Sequence, residues 1–296
     1  MRLASVQKNY EEQVRILAQK IQEADAIIVG AASGMSAAAG YHYWYESDEL
    51  FLKEFGEFKK HYGTDGAFST FYYPYRTSEE RWAFIAKLVH LIYESKTGKA
   101  YYDLMDLIQN KNYYVVTTNQ DIQFTRVVPE DRLSAIQGDW RYFQCGRRCH
   151  DEIYFNKEQI YKMNHAVEGT RIPSELVPHC PKCGAEMEPW IRSYVFLEGK
   201  KYQEEYNKYN AFLLKNRERK VLFLELGVGR MTPMFIQEPF WKMTYAWPHA
   251  YYVSINPWDA LLPEALEEKG MAIHADIAKV LVDTKCILRE KTGISC

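Results

Sequence analysis

Ala26-Ile27-Ile28-Val29-Gly30-Ala31-Ala32-Ser33-Gly34-Met35-Ser36 is the stretch on which the fold turns. Four apolar residues in unbroken succession, followed by a run of small residues, spell a strand buried on both faces that turns tightly into a helix. Ahead of it, Val14, Leu17 and Ile21 recur at helical spacing over residues 10–23, so a helix leads into the strand. The same grammar repeats. Leu104, Leu107 and Ile108 form a helical stripe before Tyr113-Tyr114-Val115-Val116, which stops at Thr117-Thr118-Asn119-Gln120-Asp121. Later runs are Val221 to Leu226, closed by Gly227-Val228-Gly229, then Tyr251 to Ile255, closed by Asn256-Pro257, and Met271 to Ile273. From Ile277 a terminal helix carries its stripe at Val280, Leu281, Thr284, Ile287 and Leu288.

Continuous apolar strands alternating with amphipathic helices predict an α/β fold, a doubly wound parallel Rossmann-like sheet covered on both faces. In such sheets the ligand crevice lies at the C-terminal ends of the strands. Residues 1–40, 101–140 and 196–296 are assigned to this nucleotide-binding domain. Two stretches break the grammar. Residues 41–100 are aromatic and partly helical, with a stripe at Trp82, Ile85, Leu88, Val89 and Ile92, and residues 141–195 hold paired cysteines. They are read as a helical and a zinc-binding insertion that form a smaller lobe.

Composition narrows the function. Of 296 residues, 47% are hydrophobic and 26% charged, as in a folded globular protein. The formal net charge of −2 argues against nucleic acid and against anionic membranes as partners, since no basic field exists to hold either. No apolar run approaches the about 18 residues of a membrane span, and Glu11 and Glu12 interrupt any secretory leader, so a cytoplasmic location is expected.

Four of the six cysteines fall into two tight pairs, Cys145-Gly-Arg-Arg-Cys149 and Cys180-Pro-Lys-Cys183. Two knuckles joined by a loop can place four thiolates around one Zn²⁺, and an all-cysteine set favours a closed structural site over a catalytic one. Unrelated buried cysteines or a redox Cys-x-x-Cys are the alternatives. His150, His165 and His179 are left outside the site, because a histidine adjoining a ligand usually faces away. Cys286 is expected on a helix and Cys296 as a terminal thiol, both free.

The small-residue run from Gly30 to Gly40 suits the close approach of a phosphate at a helix N-terminus, and equally suits a strand-to-helix turn packed by alanines. The other strand ends favour the first reading. Gly30, Ala31, Ala32, Ser33, Gly34, Met35 and Ser36 would share one crevice with Asn119 and Asp121, with Gly227, Val228 and Gly229, and with Asn256 and Pro257. Such residues suit ribose hydroxyls and a pyrophosphate.

In this order the pieces resemble the sirtuin family of NAD-dependent protein-modifying enzymes over nearly the whole chain. The family's glycine-alanine turn is similar to Ala32 through Gly40, and its Thr-Gln-Asn-x-Asp element to Thr117 through Asp121. The cysteine pairs follow, then Arg192 to Glu198 in place of the family's return strand, then Gly227 to Pro233 and Ile255-Asn256. Two departures stand out. The family's Ile-Pro-Asp-Phe-Arg is replaced by Tyr41-His42-Tyr43-Trp44-Tyr45, and its catalytic His-Gly by Gln137-Gly138. Glutamine donates and accepts hydrogen bonds but does not titrate, so it cannot be the general base that completes deacylation.

The resemblance therefore implies NAD activation followed by delivery of ADP-ribose to a protein, as in the macrodomain-linked bacterial and fungal sirtuins (class M) that carry Gln. NAD would be the cosubstrate and Zn²⁺ structural. Asn119 would orient the ribose and the acceptor, Asp121 would support its loop, Gln137 would hold the ribose hydroxyls, and Arg192 would steer an acceptor carboxylate or the pyrophosphate. For Arg192 a surface strand cap is an equal alternative. The implied acceptor is a lipoyl-carrier protein resembling the glycine-cleavage H protein, with a macrodomain protein removing the mark. Competing readings are a deacylase using another base such as His42, an NAD glycohydrolase, and a non-catalytic NAD-binding or zinc-ribbon module.

Overall fold

The computed structural model describes residues 9–290. Helix α1 (Tyr10–Glu23) begins where the Asn9 side chain accepts the Glu12 N–H, and it buries Val14, Leu17 and Ile21. Strand β1 (Ala26–Ala31) follows, buried throughout, and turns into the short α2 (Ser33–Ala38). Then come α3 (Glu49–Tyr62), α4 (Ala67–Phe71), α5 (Ser78–Glu94) and α6 (Lys99–Ile108). The chain returns to the sheet with β2 (Tyr113–Thr117) and β3 (Leu133–Ala135), and leaves it through β4 (Gly138–Cys145), β5 (Ile153–Phe155), α7 (Lys157–His165) and β6 (Met187–Ile191). It closes with α8 (Lys200–Asn216), β7 (Val221–Leu226), α9 (Gln237–Ala246), β8 (Ala250–Ile255), β9 (Gly270–Ile273) and α10 (Ile277–Glu290).

Six strands form a wholly parallel sheet in the order β3-β2-β1-β7-β8-β9. Alternate side chains feed two cores. Ile27, Val29, Leu222, Leu224 and Leu226 pack with α1, α6 and α10, while Ala26, Ile28, Val221 and Phe223 pack with Tyr209 and Phe212 of α8 and Phe240 of α9. The strand order reverses between β1 and β7, and this is the switch point at which doubly wound sheets open a crevice.

A second, antiparallel sheet has the order β5-β4-β6. It shares one core with α3 and α5, in which Phe55, Trp82 and Phe84 meet Trp140, Phe143 and Met187. Tyr43 is buried in that core, and Tyr41 and Trp44 pack at its edge. Residues 192–198 form a turn after β6 rather than a further strand. Cys286 lies on α10 as expected but is disulfide-bonded rather than free, and Cys296 lies outside the described residues.

Candidate active site and metal centre

The crevice at the switch point is built first from backbone. Ala32 N–H donates to Leu226 O at 3.0 Å, Gly34 N–H to Gly227 O at 3.1 Å, and Gly227 N–H to Ile255 O at 3.0 Å. The turn after β1 is thus laced to the ends of β7 and β8. Gly34 and Gly227 touch: a Cβ on Gly34 would lie 2.5 Å from the Gly227 Cα, and Gly227 also adopts φ +68°. Only glycine permits that approach. Asn256 is spent on scaffolding. Its Nδ2 donates to Val228 O at 3.0 Å, and its Oδ1 accepts the N–H groups of Trp258 and Asp259.

A polar network lies beside this cradle. Asn119 Nδ2 donates to Ala32 O at 2.9 Å and to Ser36 Oγ at 3.0 Å, which commits both of its protons. The Asn119 Oδ1 is left as an acceptor. Ser36 Oγ in turn donates to Asp121, whose carboxylate also takes the Tyr101 hydroxyl at 3.3 Å and the Gln123 N–H at 3.1 Å. Burial pushes the Asp121 carboxyl above its ordinary range despite these donors, and pushes the Tyr101 hydroxyl far up as well.

Gln137 stands across the β3–β4 link. Its carbonyl accepts from Gln120 Nε2 at 3.0 Å and from Arg192 N–H at 2.8 Å, and its half-buried side-chain amide has no hydrogen-bond partner among the described residues. Arg192 lies in an aromatic frame, its guanidinium carbon 4.3 Å from the centre of the Phe196 ring, 5.4 Å from Tyr202 and 5.7 Å from Phe235. It pairs with Glu198 and donates to Ile136 O, while its buried Nε has no partner.

The predicted residues therefore sort into three groups. Asn119, Asp121 and Ser36 form one network, and Gln137 and Arg192 are joined through backbone, with Gln120 linking the two groups. Ala32, Gly34, Gly227 and Asn256 make the cradle. Gly30, by contrast, lies inside β1, where a Cβ would meet Ile236 and Phe240, so its small size serves packing. Ala31, Met35 and Val228 are buried in the two cores, Ser33 opens α2, and Gly229 and Pro257 border the crevice without a close contact that constrains them. Tyr101 and Gln120 join the site without a sequence signal of their own. Tyr101 sits in an ordinary apolar helix stripe, and nothing local marks its hydroxyl. A cradle that any Cβ would fill, next to an unpartnered amide and an orphaned guanidinium nitrogen, fits a dinucleotide.

In the small lobe all four paired cysteines converge. Cys145 and Cys183 Sγ are 3.6 Å apart, and Cys149 and Cys180 Sγ 3.7 Å. A tetrahedral ion at about 2.3 Å from each sulfur requires edges of about 3.8 Å, so the spacing fits zinc. Burial opposes ionisation of Cys145, yet the backbone N–H groups of Arg147 and Cys149 and the neighbouring thiols bring it down to about 6. The knuckles need special backbone: Arg148 adopts φ +51° and Gly184 φ +71°. The expectation that His150 faces away is overturned, because its Nδ1 lies 2.9 Å from Cys149 Sγ, and Cys145, Cys149, His150 and Cys180 offer ligand atoms within 4.8 Å of one another.

No family model matches the chain. A curated relative does: the protein ADP-ribosyltransferase of Staphylococcus aureus strain Mu50 is 33% identical over 274 residues, covering 91% of this chain and 86% of that protein. The chain belongs to the protein ADP-ribosyltransferase family. A protein of Fusarium oxysporum f. sp. cubense, named a probable bifunctional ADP-ribose hydrolase/ADP-ribosyltransferase, is 25% identical over 294 residues, with 94% of this chain but only 49% of that protein covered. Among solved structures, Sir2Tm bound to a propionylated peptide superposes with a TM-score of 0.60 at 16% identity, over 96% of this chain and all of the other. A Sir2 homologue in complex with NAD gives 0.58 at 13% identity, covering 98% of each. This family member therefore has the Sir2 fold, with the NAD-binding sheet and the cysteine lobe in one chain. No helix among its described residues is long and apolar enough to cross a membrane.

Proposed function

We propose that this chain cleaves NAD between nicotinamide and ribose and joins the ADP-ribose to a nucleophilic side chain of an acceptor protein, with nicotinamide and one proton released. The observation that carries the reading is the 33% identity to a protein ADP-ribosyltransferase, and it is supported by Gln137, which the resemblance sets at the place of the sirtuin histidine. NAD supplies the activated glycosidic bond. The residues supply orientation. Asn119 Oδ1, with both amide protons held by Ala32 and Ser36, is fixed to accept from a ribose hydroxyl or from the incoming nucleophile. The free Gln137 amide is suited to the remaining hydroxyls, and Asp121 keeps Ser36 in place. Arg192, clamped on its rings, offers positive charge where a pyrophosphate or an acceptor carboxylate would approach.

The finer reading follows the class M sirtuins. The acceptor is a lipoyl-carrier protein in the cytoplasm, and a macrodomain protein removes the mark. Support for the second half is the fungal relative, whose name couples an ADP-ribose hydrolase to the transferase in one chain. In the small lobe, Cys145, Cys149, Cys180 and Cys183 would hold a structural Zn²⁺.

The test follows both halves of labelled NAD in the presence of lipoyl-carrier proteins and acyl-lysine peptides. Label on the carrier, abolished by Asn119→Ala and Gln137→Ala, supports transfer. Nicotinamide released with no labelled protein would make the chain a glycohydrolase, and deacylated peptide would make it a deacylase.

A further inference from the structure

Five donor side chains, not four, crowd the metal centre, and their spacing is uneven. His150 Nδ1 is 3.9 Å from Cys180 Sγ but 2.9 Å from Cys149 Sγ. Two corners of one zinc tetrahedron, sulfur at about 2.3 Å and nitrogen at about 2.1 Å, stand about 3.6 Å apart. The first distance is near that edge and the second is far too short. Cys149 and His150 therefore do not occupy two corners; they stand at one.

The imidazole is also set up as a ligand. The Tyr154 hydroxyl has a single proton and donates it to Glu152 Oε2 at 3.1 Å, so at 2.7 Å from His150 Nε2 its oxygen accepts the Nε2 proton. With the Nε2 edge held there, Nδ1 is the ring nitrogen that faces the sulfurs. Ligating histidines are usually held this way, with the distal N–H given to an oxygen that is itself hydrogen-bonded. Glu152 is anchored in turn by Lys182 at 2.8 Å, a residue of the second cysteine knuckle, so the relay His150–Tyr154–Glu152–Lys182 ties the two knuckles together. The His150 side chain is only 9% exposed, whereas Cys149 is exposed.

The geometry points to His150 as an exchange ligand: it takes the corner of Cys149 whenever that exposed thiolate leaves, so that the ion passes from four sulfurs to three sulfurs and one nitrogen without being released. This is a property of the metal centre alone and does not depend on the transfer reaction.

The experiment measures zinc content and affinity in the full-length protein by competition with a chromophoric chelator, and the ligand set by X-ray absorption at the zinc edge. Cys149→Ser keeps one zinc per chain, now with three sulfurs and one nitrogen. Adding His150→Ala to it lowers zinc affinity by roughly a further 100-fold, the loss expected when one of four ligands goes. Cys145→Ser, at another corner, loses zinc whether or not His150 is present. Cys149→Ser that releases zinc as fully as the double variant, or keeps it with no nitrogen ligand, overturns the assignment. Should Cys149→Ser fail to fold, His150→Ala alone decides. With Cys149 intact it retains four sulfur ligands yet gives zinc up to the chelator about 10-fold faster than the unaltered protein, and equal rates would overturn the assignment.

Discussion

In the six-stranded sheet β1, β2, β7 and β8 are covered by helices on both faces, and the cradle of its crevice is held by backbone hydrogen bonds. In the small lobe the strands are three, eight and five residues long, β5 ends on an exposed Phe155, and the far tip is held by four thiols and a relay of polar side chains ending in the Glu152–Lys182 ion pair. The difference teaches where each region keeps its stability. The sheet is held by burial, whereas the knuckles add to the burial of Cys145 and Cys180 two exposed thiols, Cys149 and Cys183, that only a metal would tie down. The sharpest way to break this contrast is to remove zinc with a chelator and follow hydrogen exchange. Structural zinc sites are worth on the order of 10 kcal/mol of binding free energy, so β4, β5 and β6 should lose protection while β1, β7 and β8 keep theirs. Uniform protection with and without zinc would erase the distinction.

The sheet's crevice should fail in the opposite manner, in activity before stability. Asn119→Ala removes the oriented Oδ1 and lowers nicotinamide release by about 10²- to 10³-fold, the usual effect of deleting one preorganised polar group. Its thermal melt should stay close to that of the parent. A turnover loss of less than 10-fold would take Asn119 out of the machinery.

A pair of glycines separates the two regions by stability. Gly227 and Gly184 have nearly the same backbone, φ +68° and φ +71°. A Cβ on Gly227 would lie 2.4 Å from the Gly34 Cα, whereas one on Gly184 meets nothing within 4 Å. Alanine at 184 should therefore cost about 1 kcal/mol, the left-handed strain alone, and alanine at 227 about 3 kcal/mol, strain plus a backbone clash. Denaturant unfolding of both variants measures the gap, and equal losses would remove the close packing of the cradle from the account.

Much of this was legible in the sequence, for a physical reason. Strands buried on both faces are apolar at nearly every position, so β1, β2, β7, β8 and β9 announce themselves despite a buried Glu225 and Ser254. The cysteine spacing announces the metal in the same way. Helix α8 does not, because Tyr209, Phe212 and Leu213 give it only a thin apolar seam and its sole fully buried residue is Asn216. The second sheet is also hidden, since its strands are short or broken by polar residues such as Arg141, Gln144 and Glu188, and their burial comes from a core shared with α3 and α5, far away in sequence. At the site, Asn119, Asp121 and the glycines followed from their place at strand ends. The packing role of Gly30 is not legible, because a glycine that admits a helix and one that admits a phosphate look alike along the chain, and neither is the turn of His150 Nδ1 towards its neighbour Cys149, which spacing does not encode.

Glu225 gives the finest test of the contrast, since it is a buried acid within the region that burial sustains. The small lobe's Glu186 and Glu188, which are only half-buried, lie against the Arg81 guanidinium. Glu225 has no cation among its partners: Gln237 Nε2 and Ser254 Oγ donate to one carboxylate oxygen at 3.1 and 3.0 Å, and the Tyr252 hydroxyl to the other. Burial outweighs these donors and raises its pKa to about 7. Below the ordinary carboxyl value of 4.5, folded and unfolded chains both hold the proton and the stabilisation is complete. Between 4.5 and 7 the unfolded chain releases it first, so stability falls as pH rises and levels off once the folded carboxyl has ionised too. From pH 5 to pH 8 the parent should therefore lose roughly 2 kcal/mol more than Glu225→Gln, which has no proton to release. Urea unfolding at the two pH values measures that difference. Equal pH slopes would mean that the carboxylate is already ionised in the fold, held by its three donors, and that the sheet tolerates a buried charge with no cation beside it.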